Sequence, residues 1–317
     1  MRRLVPVLLA LLLSGCAAGA LPDLTQAHGP CLGNGKDGWC GFTREAADRS
    51  WVYAQLSSNA YCDDIVEFAL PATIREIDRL PRRATCEIER RIADAATGKD
   101  ERKALKAQLK QVERDPREDS GFAYALFDRS ETPGGPPVER VIAFRGSDIA
   151  ASDWLHGNFG SEQYEQALAL YDQQAAAMSV PVVVTGHSLG GALALDVSVN
   201  REGADAYAFN PSPRYTVPAV PNDNARLVVA ERGDVLDQIR KRRMPVAQEL
   251  VEINCAPESS GFADHKIRQL AECLTWIAAK DGAAARASVA ENAIAQPPGE
   301  ALMAAWGRQP PPEPEAP

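Results

Sequence analysis

The stretch Val182-Val183-Val184-Thr185-Gly186-His187-Ser188-Leu189-Gly190-Gly191-Ala192-Leu193-Ala194-Leu195 constrains this chain more than any other. An apolar β-branched run reads as a buried strand, and the Ala/Leu pattern that follows reads as a buried helix. Gly186-His187-Ser188-Leu189-Gly190 must then be the sharp turn between them. Glycines at both ends of that turn let strand and helix approach without a Cβ in the way. A serine at its apex is held in strained backbone geometry, with Oγ exposed above the carboxyl end of a sheet. The first N–H groups of the helix point to the same place, where they suit a developing oxyanion. A bare Gly-x-Ser-x-Gly is a loose pattern; the strand before it and the helix after it give it chemical meaning.

A nucleophile needs a base, and the chain has four histidines: His28, His156, His187 and His265. His187 lies inside the turn and points away from Ser188. His28 has no supporting context. His265 stands in a loop before an amphipathic helix, where its imidazole can swing over the end of the sheet. It is the expected general base, with His156 the second candidate. In hydrolases built on a strand–turn–helix serine, the acid lies between serine and histidine in the chain. Asp234 follows the strand Leu227–Ala230 after the turn Glu231-Arg232-Gly233, and Asp237 is its close alternative. The backbone N–H of Leu189, next to the nucleophile, is the first oxyanion donor, and the loop Arg145-Gly146-Ser147 after a predicted strand offers the second.

These pieces, in this order, resemble the class 3 lipases, the fungal-type triacylglycerol lipases and their bacterial relatives. Phe144-Arg145-Gly146-Ser147 is similar to the family's Phe-Arg-Gly-Ser/Thr oxyanion segment, which assigns the second donor to Ser147. Asp153-Trp154-Leu155 is similar to the end of its lid, which makes Asp148 to Leu155 a short lid helix. Gly186 to Gly191 matches the family's elbow at every position. Phe209-Asn210-Pro211-Ser212-Pro213-Arg214 is similar to its Phe-Gly-x-Pro-Arg segment, with Asn-Pro in place of the usual Gly-Ser. Gly233-Asp234-Val235 resembles its acid segment, without the usual proline, and favours Asp234 over Asp237. Ala54 to Asp63 resembles its N-terminal helix. The resemblance spans roughly residues 43–280. It implies an α/β-hydrolase fold, a mainly parallel sheet with helices on both faces. It further implies a serine ester hydrolase of lipase or phospholipase type, with Ser188, Asp234 and His265 as triad, Ser147 and Leu189 as oxyanion donors, and a lipid or other carboxylic ester as substrate. No cofactor or metal is implied. Two other readings suit the same residues: acyl transfer to an alcohol, and a silent hydrolase fold serving as an envelope lipoprotein.

The rest of the 317-residue chain is organised around this body. Arg2-Arg3 followed by Leu4 to Leu13 reads as a signal peptide over residues 1–15, too short to span a bilayer. Leu13-Ser14-Gly15-Cys16 resembles the bacterial lipobox, so Cys16 is the expected lipidated first residue of an exported chain. Acyl chains contribute about 0.8 kcal/mol per buried methylene, which makes the membrane a partner through this anchor. Ala17 after the cysteine points to the outer membrane in a Gram-negative source. A net charge of -9 with no basic block excludes a nucleic-acid footprint. Besides Cys16 there are six cysteines, an even set that reads as disulfides in an exported protein. Proximity pairs Cys31 with Cys40, Cys62 with Cys86, and Cys255 with Cys273. No Cys-x-x-Cys is present, and the spacings fit no zinc site.

Residues 16–42 read as a Cys/Gly-rich segment, 43–296 as the hydrolase domain, and 297–317 as a Pro-rich disordered tail. Thr43 is the expected cap of a helix running to about Tyr61. About 74–118 is dense in charge with apolar residues at helical spacing (Ile88, Ile92; Leu105, Leu109, Val112) and reads as an inserted helical hairpin. Strands are expected at 121–128 and 138–146 as an antiparallel pair, then at 204–209 and 226–230, with helices at 162–178 and 266–279.

Overall fold

Among the residues described, seven strands form one mixed sheet in the order in which they occur along the chain. They are β1 (Ile74–Leu80), β2 (Tyr124–Ser130), β3 (Pro137–Phe144), β4 (Val182–His187), β5 (Ala206–Phe209), β6 (Arg226–Glu231) and β7 (Glu249–Ile253). β1, β2 and β3 pair antiparallel, and β3 to β7 run parallel. The helices are α1 (Gly41–Asn59), α2 (Arg83–Ala93), α3 (Lys99–Leu109), α4 (Ser161–Ala177), α5 (Leu189–Asn200), α6 (Ile267–Ala278) and α7 (Ala283–Glu291). The computed structural model describes residues 41–61, 66–94, 96–112, 115–146, 161–215, 222–231, 233–236, 240, 249–253, 255–256 and 261–296. Residues 1–40, with Cys16, His28, Cys31 and Cys40, lie outside these residues, as do Cys62, Ser147, the 148–155 stretch, His156, Asp237 and the chain from 297.

The sheet is covered on both faces, an α/β architecture, because its strands alternate between two cores. Val183, Phe127, Val141 and Val229 face α1 and α6. Val182, Val184, Ile142 and Phe144 face α4 and α5. The crossovers through α4 and α5 step the sheet in the same direction, and crossovers of one hand then put both helices on one side. α5 is apolar almost all round and is buried from Leu189 to Val199, as such a helix must be. On the opposite face, helices from the two ends of the domain close the second core. Gln55 of α1 joins them, donating to Thr275 Oγ1 of α6 (3.0 Å) and Ser288 Oγ of α7 (2.8 Å). Ser57 and Thr185 share a hydrogen bond of 2.9 Å that seats α1 on β4.

Several boundaries differ from the sequence expectation. Residues 74–80 are an edge strand rather than the start of the helical hairpin, so the sheet begins before the insertion. Ile74 and Ile77 lie in this strand, and Ile77 falls between Glu76 and Asp78 where the register with β2 shifts, a bulge. The charges that surround them suit an edge that must not pair with another chain. The hairpin proper is α2 and α3, with Ile88 and Leu105 buried between them. β2 starts at Tyr124 because Gly121 (φ 79°) caps a 3-10 turn over Pro116–Ser120. Thr43 is buried inside α1 rather than capping it. β7 and α7 carried no readable signal. β7 has five residues, two of them glutamates, and α7 buries only Ala285 and Ser288.

Cys255 and Cys273 are disulfide-bonded, linking the segment after β7 to α6, as proximity suggested. Cys86 is also disulfide-bonded, to a partner outside the described residues. The Cys255–Cys273 bond closes a loop with a sequence separation of 18 that contains His265. Replacing both cysteines by serine is expected to cost about 3 kcal/mol by the loop-entropy relation. Denaturant unfolding checks this: the midpoint falls accordingly relative to the wild type.

Candidate active site

The parallel strands β3, β4, β5, β6 and β7 deliver their carboxyl ends to one edge, where loop residues gather. Ser188 follows β4 directly and holds φ 57° and ψ −123°, a conformation that L-residues rarely adopt. Three backbone bonds pin it: its N–H donates to Phe209 O (3.1 Å), and its carbonyl accepts from Ala192 (3.2 Å) and Ser212 (2.9 Å). The flanking glycines are required by contact. A Cβ on Gly186 would run into the Gly190 backbone, and one on Gly190 into the Phe144 carbonyl. Leu189 is the first residue of α5, so its N–H lies at the helix N-terminus without an intrahelical partner.

Asp234 and His265 come together because their loops lie side by side. Asp234 and Gly261 form a parallel bridge, with Gly261 N–H to Gly233 O (2.8 Å) and Val235 N–H to Gly261 O (3.1 Å). His265 Nδ1 is 2.7 Å from Asp234 Oδ1, and its Nε2 is 2.9 Å from Ser188 Oγ. A carboxylate accepts only, so Nδ1–H donates to it, and Nε2 is left to take the Ser188 hydroxyl proton. Asp234 is buried, and its other oxygen forms an ion pair with the buried Arg240. Burial alone would push the Asp234 carboxyl up. The His265 hydrogen bond and the Arg240 charge outweigh it and hold the group below the ordinary carboxylate range.

Arg145-Gly146, the described part of the segment expected to carry the second oxyanion donor, approaches the same point. Gly146 lies so close that a Cβ there would sit 3.0 Å from the Ser188 Cβ and 2.7 Å from the His187 carbonyl. Ser147, expected to supply the second donor, lies outside the described residues, as do the alternatives His156 and Asp237 and the expected lipidation residue Cys16. Among the described residues no group of three or more metal-ligating side chains occurs.

Four residues at the site escaped the sequence reading as contributors. Arg240 neutralises Asp234 and donates to Pro211 O (3.3 Å), but nothing in Gln238-Ile239-Arg240-Lys241 distinguishes it from a surface base. Tyr61, His187 and Asn210 are buried beside the base loop. The Asn-Pro departure at 210–211 was the one visible hint.

A family model of the Tle-like phospholipase domain matches residues 53–243. The chain belongs to the Tle-like phospholipase family. The matched span of this phospholipase-like chain includes Tyr61, Ser188, Asp234 and Arg240 and ends before His265. The family is one of lipid ester hydrolases. No curated protein matches the chain. Among solved structures it is similar to a Rhizomucor miehei lipase in a propeptide complex, at 15% identity over 70% of this chain and 72% of that one, with a TM-score of 0.34.

Glu231 ends β6 beside the acid loop, buried, its Oε1 accepting from the N–H groups of Cys255 (2.6 Å) and Ala256 (3.1 Å). Burial raises its carboxyl well above the usual value, against those two N–H groups, and the Asp264 and Asp234 charges add to the rise. The folded chain therefore keeps this proton to higher pH than the unfolded chain. The neutral carboxyl's contribution to stability is full below the unfolded value and is lost as pH rises through the folded one. Glu231→Gln is expected to melt like the wild type in acid, and at a higher temperature at neutral and alkaline pH. Melting curves across pH check this, and parallel profiles for the two proteins would contradict it.

Proposed function

We propose that this phospholipase-like chain cleaves carboxylic ester bonds of phospholipids through an acyl-serine on Ser188. The reading is supported above all by one unbroken run of contacts: Ser188 Oγ to His265 Nε2 at 2.9 Å, and His265 Nδ1 to Asp234 Oδ1 at 2.7 Å. His265 takes the Ser188 proton as Oγ bonds to the ester carbonyl carbon. The carbonyl oxygen becomes an oxyanion, held by the N–H of Leu189 and by Ser147. Asp234 steadies the imidazolium, whose proton then passes to the leaving alkoxide as the ester bond breaks. Water, deprotonated by His265, attacks the acyl-serine, releasing the fatty acid and restoring Ser188. Every step uses the chain's own groups and water. The His265 hydrogen bond and the Arg240 charge keep Asp234 ionised in a buried place, so the acid can act through the mildly acidic range.

The substrate reading is supported by the family, and by a leader whose Cys16 would carry the enzyme as an envelope lipoprotein to its lipid. Ser188→Ala is expected to lower p-nitrophenyl ester turnover by about 10⁴-fold or more while the melting temperature is retained. The wild type should be labelled by a fluorophosphonate, and the variant should not. Retained turnover in the variant would end the assignment. A panel running from short soluble esters to phospholipid vesicles checks the substrate: a strict short-chain preference would leave a plain esterase.

A further inference from the structure

Two successive carbonyls in the base loop, those of Asp264 and His265, are each held by a buried side chain from another strand end. Asn210 Nδ2 donates to Asp264 O at 3.0 Å, while Asn210 Oδ1 accepts from the N–H of Glu231 at 2.7 Å. His187 Nε2 is 2.6 Å from His265 O. Its Nδ1 is 2.7 Å from the hydroxyl of Tyr61, which in turn receives the N–H of Gly146 at 3.2 Å.

The donors and acceptors at the two ends dictate the arrangement. A carbonyl can only accept, so His187 carries its proton on Nε2. Its Nδ1 is then bare, and Tyr61 must donate to it. The backbone N–H of Gly146 can only donate, and the tyrosine oxygen takes it. One directed run of hydrogen bonds therefore leads from the oxyanion segment through Tyr61 and His187 to the backbone of the base. His187 is buried, and burial holds it neutral, with the nearby His265 working in the same direction. Its ring centroid is 4.7 Å from that of His265, so a neutral His187 adds no repulsion when His265 becomes an imidazolium.

We infer that Tyr61, His187 and Asn210 are positioning residues for the base: Asn210 and His187 clamp the two carbonyls that set the height of His265 over Ser188, and Tyr61 locks the His187 tautomer the clamp needs. The inference rests on the triad reading. Asn210 has φ 42°, which asparagine tolerates better than most residues and glycine freely accepts. The side chain adds a tie between the end of β6 and the base loop.

Tyr61→Phe removes one hydroxyl, and Asn210→Gly removes one side chain that the backbone does not need. Each is expected to lower kcat on a short soluble ester by about ten- to a hundredfold with KM nearly unchanged, as a displacement of the base by a fraction of an ångström would. Fluorophosphonate labelling of Ser188 should slow by a similar factor. With four histidines in the chain, ring ¹⁵N spectra can assign each one. His187 should be the neutral Nε2–H form in the wild type throughout the neutral range and lose that single form in Tyr61→Phe. Wild-type kcat in both folded variants would overturn the clamp. So would a loss confined to KM, or a wild-type His187 that titrates or is protonated on Nδ1. Ser188→Ala separates the failures: if it keeps turnover the triad reading falls, and if it is inactive while both variants are unimpaired only the clamp falls.

Discussion

A serine held at positive φ between a parallel strand and a helix is the constraint on which the other features of this chain depend. Such backbone strain costs on the order of 1–3 kcal/mol and persists only where the surroundings over-determine it. Here they do. Gly186, Gly190 and Phe144 are in backbone contact around the turn, and three hydrogen bonds fix Ser188 against the ends of β5 and α5. The sheet that supplies this support is apolar on both faces, so neither strand nor helix can shift to relax the turn without opening a core.

The second constraint is electrostatic. Asp234, Glu231, Asp264 and Arg240 are all buried near the end of β6. Isolated buried charges are costly, so pairing or neutralisation favours the fold. Asp234 is paired twice, with His265 and Arg240, and stays ionised. Glu231 is driven the other way by burial. A carboxylate fit to accept from an imidazole and a carboxyl pushed towards its neutral form, which holds the start of the Cys255 segment, thus lie three residues apart. Their different states follow from their partners, not from their residue type.

How far the sequence could be read varies with the range of the interaction. The elbow, the antiparallel β2–β3 pair, α4 and the Cys255–Cys273 pair are local patterns, and they were legible as such. β1 is as densely charged as the hairpin that follows it, so charge density does not mark where the strand ends and the insertion begins. β7 is too short and too acidic at the sheet edge to show alternation. Ser188, His265 and Asp234 could each be proposed from chain order and family likeness, and the fold brings His265 within hydrogen-bonding distance of both Ser188 and Asp234. Arg240 could not be proposed, since one arginine among several near the acid acquires its meaning only from the pocket it enters.

By itself the sequence determined the local geometry: a strand, a glycine-flanked turn and a helix can arrange their backbones in few ways, and each carries its own periodicity. Tertiary structure alone decided which distant groups complete the site. Tyr61 meets His187 across 126 positions, and His187 meets the carbonyl of His265 across 78. Contacts of that kind leave no periodic trace in the chain, because they depend on how helices from both termini and five parallel strand ends are stacked, and not on the residues beside them.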